Sequence, residues 1–223
     1  MKHIYSFLLI LLPVLVFSQI DSTGTKTKQE KKQKSSLGLG IKAGLNFTNI
    51  TSTSAISHSS ETGYQIGLFL DPASKSILGS RTELLYSHQG YNYATGQTTG
   101  KVFLDYIMLA QLMVINITHF VQIQIGTQMA YLLSAKADSS YQSTGNASID
   151  QALNYYNRID FGFSGGVEVR PFMGILVGAR YNLSLTNLYK VPDISADNPS
   201  YVPSSSSLNF KNNLLQIYVG YRF

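Results

Sequence analysis

From about residue 38 to the C-terminus the chain alternates apolar and polar side chains in eight segments. Period two is the spacing of a strand with one apolar and one polar face. The first segment, about 38–48, sets Leu39, Ile41, Ala43, Leu45 and Phe47 against Lys42, Gly44, Asn46 and Thr48. The second, 63–71, sets Tyr64, Ile66, Leu68 and Leu70 against Gln65 and Gly67, and the third, 79–89, sets Leu84 and Tyr86 against Arg81, Glu83 and Ser87. The fifth, 121–132, sets Val121, Ile123, Ile125, Met129 and Tyr131 against four Gln and Gly positions. In the sixth (159–170), seventh (174–185) and eighth (213–223), Asp160, Glu168, Arg170, Arg180, Gln216 and Arg222 share the polar face. The fourth, 103–115, is apolar on both faces; Asp105 and Gln111 assign its odd positions to the polar side.

The connections between segments alternate in length. Residues 71–75, 116–119 and 170–173 are short turns, whereas 49–62, 90–102, 133–158 and 186–212 are long and polar. Apolar faces with this loop asymmetry predict an all-β, eight-stranded, antiparallel up-and-down transmembrane β-barrel of an outer membrane. Lipid satisfies no open sheet edge, so such a sheet must close. An even strand number leaves both termini on the periplasmic side.

A barrel of eight strands is just wide enough to be filled by its own side chains. Lys42, Arg81, Glu83, Asp160, Glu168, Arg170, Arg180 and Arg222 all have inward parity and are expected to form an interior polar network in place of a conducting pore. The same charges facing lipid would cost roughly 2–4 kcal/mol each near the midplane.

Composition agrees. Only 13% of the residues are charged, 12% are aromatic, Tyr numbers 15 of 223, and there is no cysteine. Disulfide scaffolds, zinc–thiolate sites and a cysteine lipid anchor are thereby excluded. The net charge of +5 is misleading until it is located: from residue 35 onward 11 basic and 10 acidic side chains remain, a balance of +1. No basic face for nucleic acid follows. Lys2 and His3, the apolar run Ile4–Phe17, and Val16 and Ser18 before Gln19 read as a signal peptide, 1–18. Residues 19–36, rich in Lys, read as a basic, flexible periplasmic linker, and 37–223 as the barrel.

Four segments resemble a known family. Gly40-Ile41-Lys42-Ala43-Gly44-Leu45-Asn46-Phe47 looks like the opening strand of PorT-like outer-membrane barrels of Bacteroidota. Glu83-Leu84-Leu85-Tyr86-Ser87-His88-Gln89-Gly90 resembles that family's third strand, Gly178–Asn187 its seventh, and Gln216–Phe223 its last. Ala110 stands where the family often has Pro in strand four. The resemblance implies an outer-membrane barrel in a family that includes secretion-system components as well as barrels of other roles.

The terminal alternation ending in Tyr221 and Phe223 resembles the signal read by the barrel-insertion machinery, which pairs with a nascent barrel's last strand. Catalytic signals are weak. His58, Ser59, Ser60 and Glu61 sit in one polar stretch with His88 downstream, but neighbours in a loop do not by themselves align a nucleophile, base and acid. No cofactor or metal motif is present in the sequence. The reading is a non-enzymatic barrel, an accessory or structural subunit of a larger outer-membrane assembly such as a secretion apparatus. Its expected partners are outer-membrane lipid, the insertion machinery and other outer-membrane proteins. The alternatives are a lipid-modifying or proteolytic rim enzyme, or an adhesin or ligand-binding barrel acting through loops 133–158 and 186–212. Tyr155 and Tyr156 mark the first of these loops as a segment that docks a partner or closes the barrel mouth.

Overall fold

The computed structural model describes residues 38–51, 57–72, 77–95, 98–139, 153, 156–190 and 210–223. The expected signal peptide 1–18, the expected linker 19–36, Tyr155 and most of the two longest loops lie outside the described residues. The strands are β1 (Leu39–Thr51), β2 (Ser57–Ser60), β3 (Thr62–Leu70), β4 (Leu78–Thr95), β5 (Thr98–Asn116), β6 (Val121–Ser139), β7 (Ile159–Val169), β8 (Ile175–Ser184) and β9 (Lys211–Arg222). The barrel wall nevertheless has eight strands. β2 and β3 both pair with β4, and their registers differ by one residue across Glu61, as in one strand interrupted by a bulge.

Every pairing is antiparallel. The order runs β4-β3-β1-β9-β8-β7-β6-β5, and pairing of β4 with β5 closes the ring. β1 lies between β3 and β9, so the first and last strands meet. Closure satisfies the backbone groups that lipid would leave unpaired. The three connections at one end, the turn end, are short. Residues 117–120 link β5 to β6, with Thr118 Oγ1 accepting from the Val121 N–H at 3.0 Å. Between β7 and β8, Met173 and Gly174 have φ of 51° and 80°. A Cβ at Gly174 would meet the Arg222 carbonyl at 2.4 Å, so this tight turn needs glycine.

Side chains alternate along the strands, with a switch of parity in β6 between the buried Leu132 and Ala135. β8 reads exposed, buried, exposed over its whole length. Large apolar groups such as Ile41, Leu68, Leu84, Phe163, Val177 and Val219 face outward and are half exposed, a continuous apolar surface that water would not tolerate.

Two expectations are corrected. Residues 90–102 are not a loop: β4 and β5 run on as a hairpin to the Thr95↔Thr98 pair. The polar run marks strand exposed to water, which period-two apolarity does not reveal. In the fourth barrel strand, β5, the even positions face inward: Val102, Leu104, Tyr106, Met108, Ala110, Leu112 and Val114 are buried. The odd, polar residues face outward because each finds a partner there. Thr82 donates to Gln111 at 2.7 Å, and Tyr86 donates to Asp105 at 2.9 Å.

The wall is uneven. β7, β8 and β9 have 11, 10 and 12 residues, close to the roughly 9–11 that span a bilayer, while β4, β5 and β6 have 18, 19 and 19. At the loop end, three strands therefore continue beyond the rim set by the other side.

Candidate functional site

The turn-end half of the lumen holds long charged side chains that reach across from opposite walls. Arg81 on β4 makes a two-pronged contact with Glu168 on β7, at 2.6 and 2.8 Å. Arg180 on β8 does the same with Glu83 on β4, at 2.6 and 2.9 Å. Lys42 on β1 donates to Glu83 at 2.8 Å, and Arg81 Nη1 lies 3.7 Å from Glu83, linking the two pairs. Asp71 accepts from Arg81 at 3.0 Å and from Arg170, which also reaches Glu168 at 3.1 Å. Planar guanidinium–carboxylate forks are the strong form of such contacts.

Neutral groups complete the network. Gln124 donates to Glu168 at 2.9 Å and accepts from Arg180 at 2.5 Å. The Tyr218 hydroxyl lies 3.2 Å from both Gln124 and Glu168, and its ring receives Lys42 Nζ at 3.8 Å from the centroid, a cation–π contact. Room for this ring exists because residue 178 is glycine: a Cβ there would sit 2.6 Å from the Tyr218 hydroxyl. Arg81, Glu168 and Glu83 are no more than 1% exposed.

Above this lies a layer of amides and hydroxyls. Gln216 donates to Gln65 at 2.7 Å, Asn46 to Ser87 at 2.9 Å, and Ser164 to Asn182 at 2.6 Å. Higher still the lumen turns apolar. Val102, Leu104, Leu132, Ala135, Leu153, Leu188 and Phe210 pack together with Tyr91 and Tyr156. The Tyr91 hydroxyl contacts those of Tyr156 and Tyr189 at 2.8 and 2.6 Å.

Of the eight residues expected inside, Lys42, Arg81, Glu83, Glu168, Arg170 and Arg180 come together in one cluster. Arg222 lies at its edge, donating to the Asp71 carbonyl at 3.0 Å. Asp160 does not join them; it sits in the upper half, where Ser184 donates to it at 2.5 Å. Asp71, Gln124 and Tyr218 belong to the cluster but were not singled out. Parity marks Tyr218 as inward, whereas Asp71 lies in a predicted turn and gives no such signal. Tyr156 is fully buried, its hydroxyl bonded to that of Tyr91 and its ring 5.1 Å from that of Tyr189. Tyr221 and Phe223 are exposed, with their rings edge to face at 5.4 Å.

His88 and Glu61 do not form a catalytic group. His88 Nδ1 lies 2.6 Å from Asp105 on the outer wall, its ring stacked between Tyr64 and Phe103 at 5.1 and 5.5 Å. Glu61 accepts from Lys101 and Asn92, both at 3.0 Å. These hydrogen bonds, Lys101's first, hold its carboxyl below the ordinary carboxylate range.

The model of a family described as outer membrane protein beta-barrel domain matches residues 17–190. The chain belongs to this family. As a member of the outer membrane protein beta-barrel domain family it resides in the outer membrane, its apolar face in lipid. No curated protein sequence matches it. Among solved structures it is similar to Ail, the attachment invasion locus protein of Yersinia pestis, crystallised with the heparin analogue sucrose octasulfate. That likeness has 13% identity and a TM-score of 0.46, covering 83% of this chain and 99% of that one. Neisserial surface protein A is similar at 16% identity and a TM-score of 0.48, covering 83% and 97%. OprG from Pseudomonas aeruginosa is similar at 12% identity and a TM-score of 0.47, covering 85% and 97%.

Proposed function

We propose that this chain is a non-enzymatic, non-conducting barrel of the PorT-like, Bacteroidota type that serves as an accessory subunit of a larger outer-membrane assembly, with protein secretion one setting. The observation that carries the reading is the filled lumen. Among the described residues the ion cluster and the tyrosine-lined apolar core lie one above the other in the lumen, and the two cavities beside Asp160 each admit about one water-sized body. A barrel whose lumen is taken up by its own side chains works through its surfaces.

Two surfaces support the role. The β4–β6 wall stands well above the rim of β7–β9. Below it, Tyr64, His88 and Phe103 form an outward aromatic stack, the kind of surface on which interfaces are anchored. The segment bearing Leu153 and Tyr156 closes the barrel mouth. In the same reading the chain is exported by its signal peptide, keeps both termini in the periplasm, and is inserted through recognition of Tyr221 and Phe223.

The test has two arms. Co-purification from mild detergent should recover another outer-membrane protein, and replacing His88 and Phe103 by Ala should release it while the barrel still inserts. Planar-bilayer recordings should show no stable large channel. Recovery of the barrel alone, or porin-sized conductance, overturns the proposal.

A further inference from the structure

The lumenal carboxylates are treated unequally. Asp71, Glu83 and Glu168 are each held by two cationic side chains. Asp160 has inward parity and accepts from the Ser184 hydroxyl and from the hydroxyl and N–H of Thr186, but among the described residues it forms no ion pair. A half-buried carboxylate without countercharge carries a desolvation cost.

Beside it lie two small cavities of about 10 Å³ each, and Asp160, Tyr106 and Asn212 line both. A space of this size admits about one water-sized body. The inner cavity is completed by Gln89 and Gln128, the outer by Asn157 and Thr186. The outer one lies beside the ends of β7 and β8, against Ile159, Ser184 and Leu188.

A second, independent feature points the same way. Asn212 is 6% exposed, and its Oδ1 has no hydrogen-bond partner. It is the start of a donor chain: Asn212 Nδ2 donates to Gln89 Oε1 at 2.7 Å, and Gln89 Nε2 donates to Ser87 at 2.9 Å. Reversing the Asn212 amide alone would set two carbonyl oxygens against each other. In this arrangement the buried acceptor lies beside the cavities, where it needs a donor or a cation.

We propose that Asp160 anchors a binding site for a small monovalent cation of about sodium's size, with Asn212 Oδ1 and the Tyr106 hydroxyl as neutral oxygen ligands and water in the neighbouring cavity. One carboxylate matches one positive charge. Calcium takes six to eight oxygens, and magnesium demands an octahedron of them. Among the described residues no three His, Asp or Glu side chains gather as a transition-metal site would need. The ion supplies the countercharge that the protein gives its other lumenal acids as Lys and Arg.

Sodium-23 line widths of the full-length barrel in detergent micelles test this, with N-methylglucamine chloride holding the ionic strength constant. Wild type should show a saturable excess width that lithium or potassium displaces and N-methylglucamine, too large for the cavity, does not. Asp160→Asn should abolish it and Asn212→Ala should weaken it, while Glu61→Gln, outside the site, should leave it unchanged. No excess in wild type, an equal excess in Asp160→Asn, or displacement by N-methylglucamine overturns the proposal. If Asp160→Asn fails to insert, Asn212→Ala and the displacement series on wild type decide.

Discussion

The two halves of the lumen obey the same inward parity and have opposite chemistry. At the turn end Lys42, Arg81, Arg170 and Arg180 meet Asp71, Glu83 and Glu168. At the loop end Leu104, Leu132, Leu153 and Phe210 pack around bonded tyrosines. What differs is the solvent outside the wall. Within the bilayer, lipid tails are as apolar as leucine, so moving an apolar side chain from lipid to lumen gains almost nothing. The interior is then held by forks and amides that lipid cannot satisfy. Above the bilayer the outer surface meets water, burial of apolar area again drives folding, and β4–β6 enclose a core like that of a soluble β-protein. Their outward side there carries Asn92, Lys101 and Lys136. The inward face of β5 stays apolar throughout, from Val102 to Val114.

The sharpest break of this comparison is Glu83→Gln. It strips Arg180 of its fork and Lys42 of its partner, leaving buried charge uncompensated. A loss of about 3–5 kcal/mol, read as an earlier midpoint in urea unfolding from micelles, is expected. A loss below that of any loop-end truncation would show that the ion cluster does not hold the turn end.

Leu132→Ala probes the other half. Leu132 is fully buried in the apolar core, and its truncation should cost about 3 kcal/mol. Added sulfate should restore part of that stability, since it strengthens apolar burial, but little of what Glu83→Gln removes. Equal rescue of both variants would refute the division.

Tyr156→Phe removes one hydroxyl from the tyrosine group and keeps the ring. About 1 kcal/mol is expected, with hydrogen exchange rising first around Asn157 and Leu188, whose backbones are bonded to each other.

The smallest effect belongs to the exposed Lys101–Glu61 pair. Lys101→Ala should cost no more than about 0.5 kcal/mol at neutral pH. The Glu61 carboxyl is held low in the folded state, so its contribution is present above the unfolded value and fades as pH falls through the folded one. Wild type and Lys101→Ala should therefore converge in acid, measured by the same urea midpoints.

Alternation alone determined the all-β class, the eight wall strands and the inward parity of Lys42, Arg81, Glu83, Glu168 and Arg180, because a strand in lipid must keep one face apolar. It failed where that constraint lapses. In β5 both faces are apolar, and Asp105 and Gln111 pointed the wrong way, since His88, Tyr86 and Thr82 satisfy them on the outside. At 90–102 strands in water carry polar residues that read as loop. Tertiary structure alone decided which acid meets which cation, because register across the ring brings Arg81 to Glu168, 87 residues away, while Asp160, of the same parity, is left beside the unpaired oxygen of Asn212. Parity assigns a side chain to a face, but its height in the barrel follows from strand pairing, and height determines which charges meet.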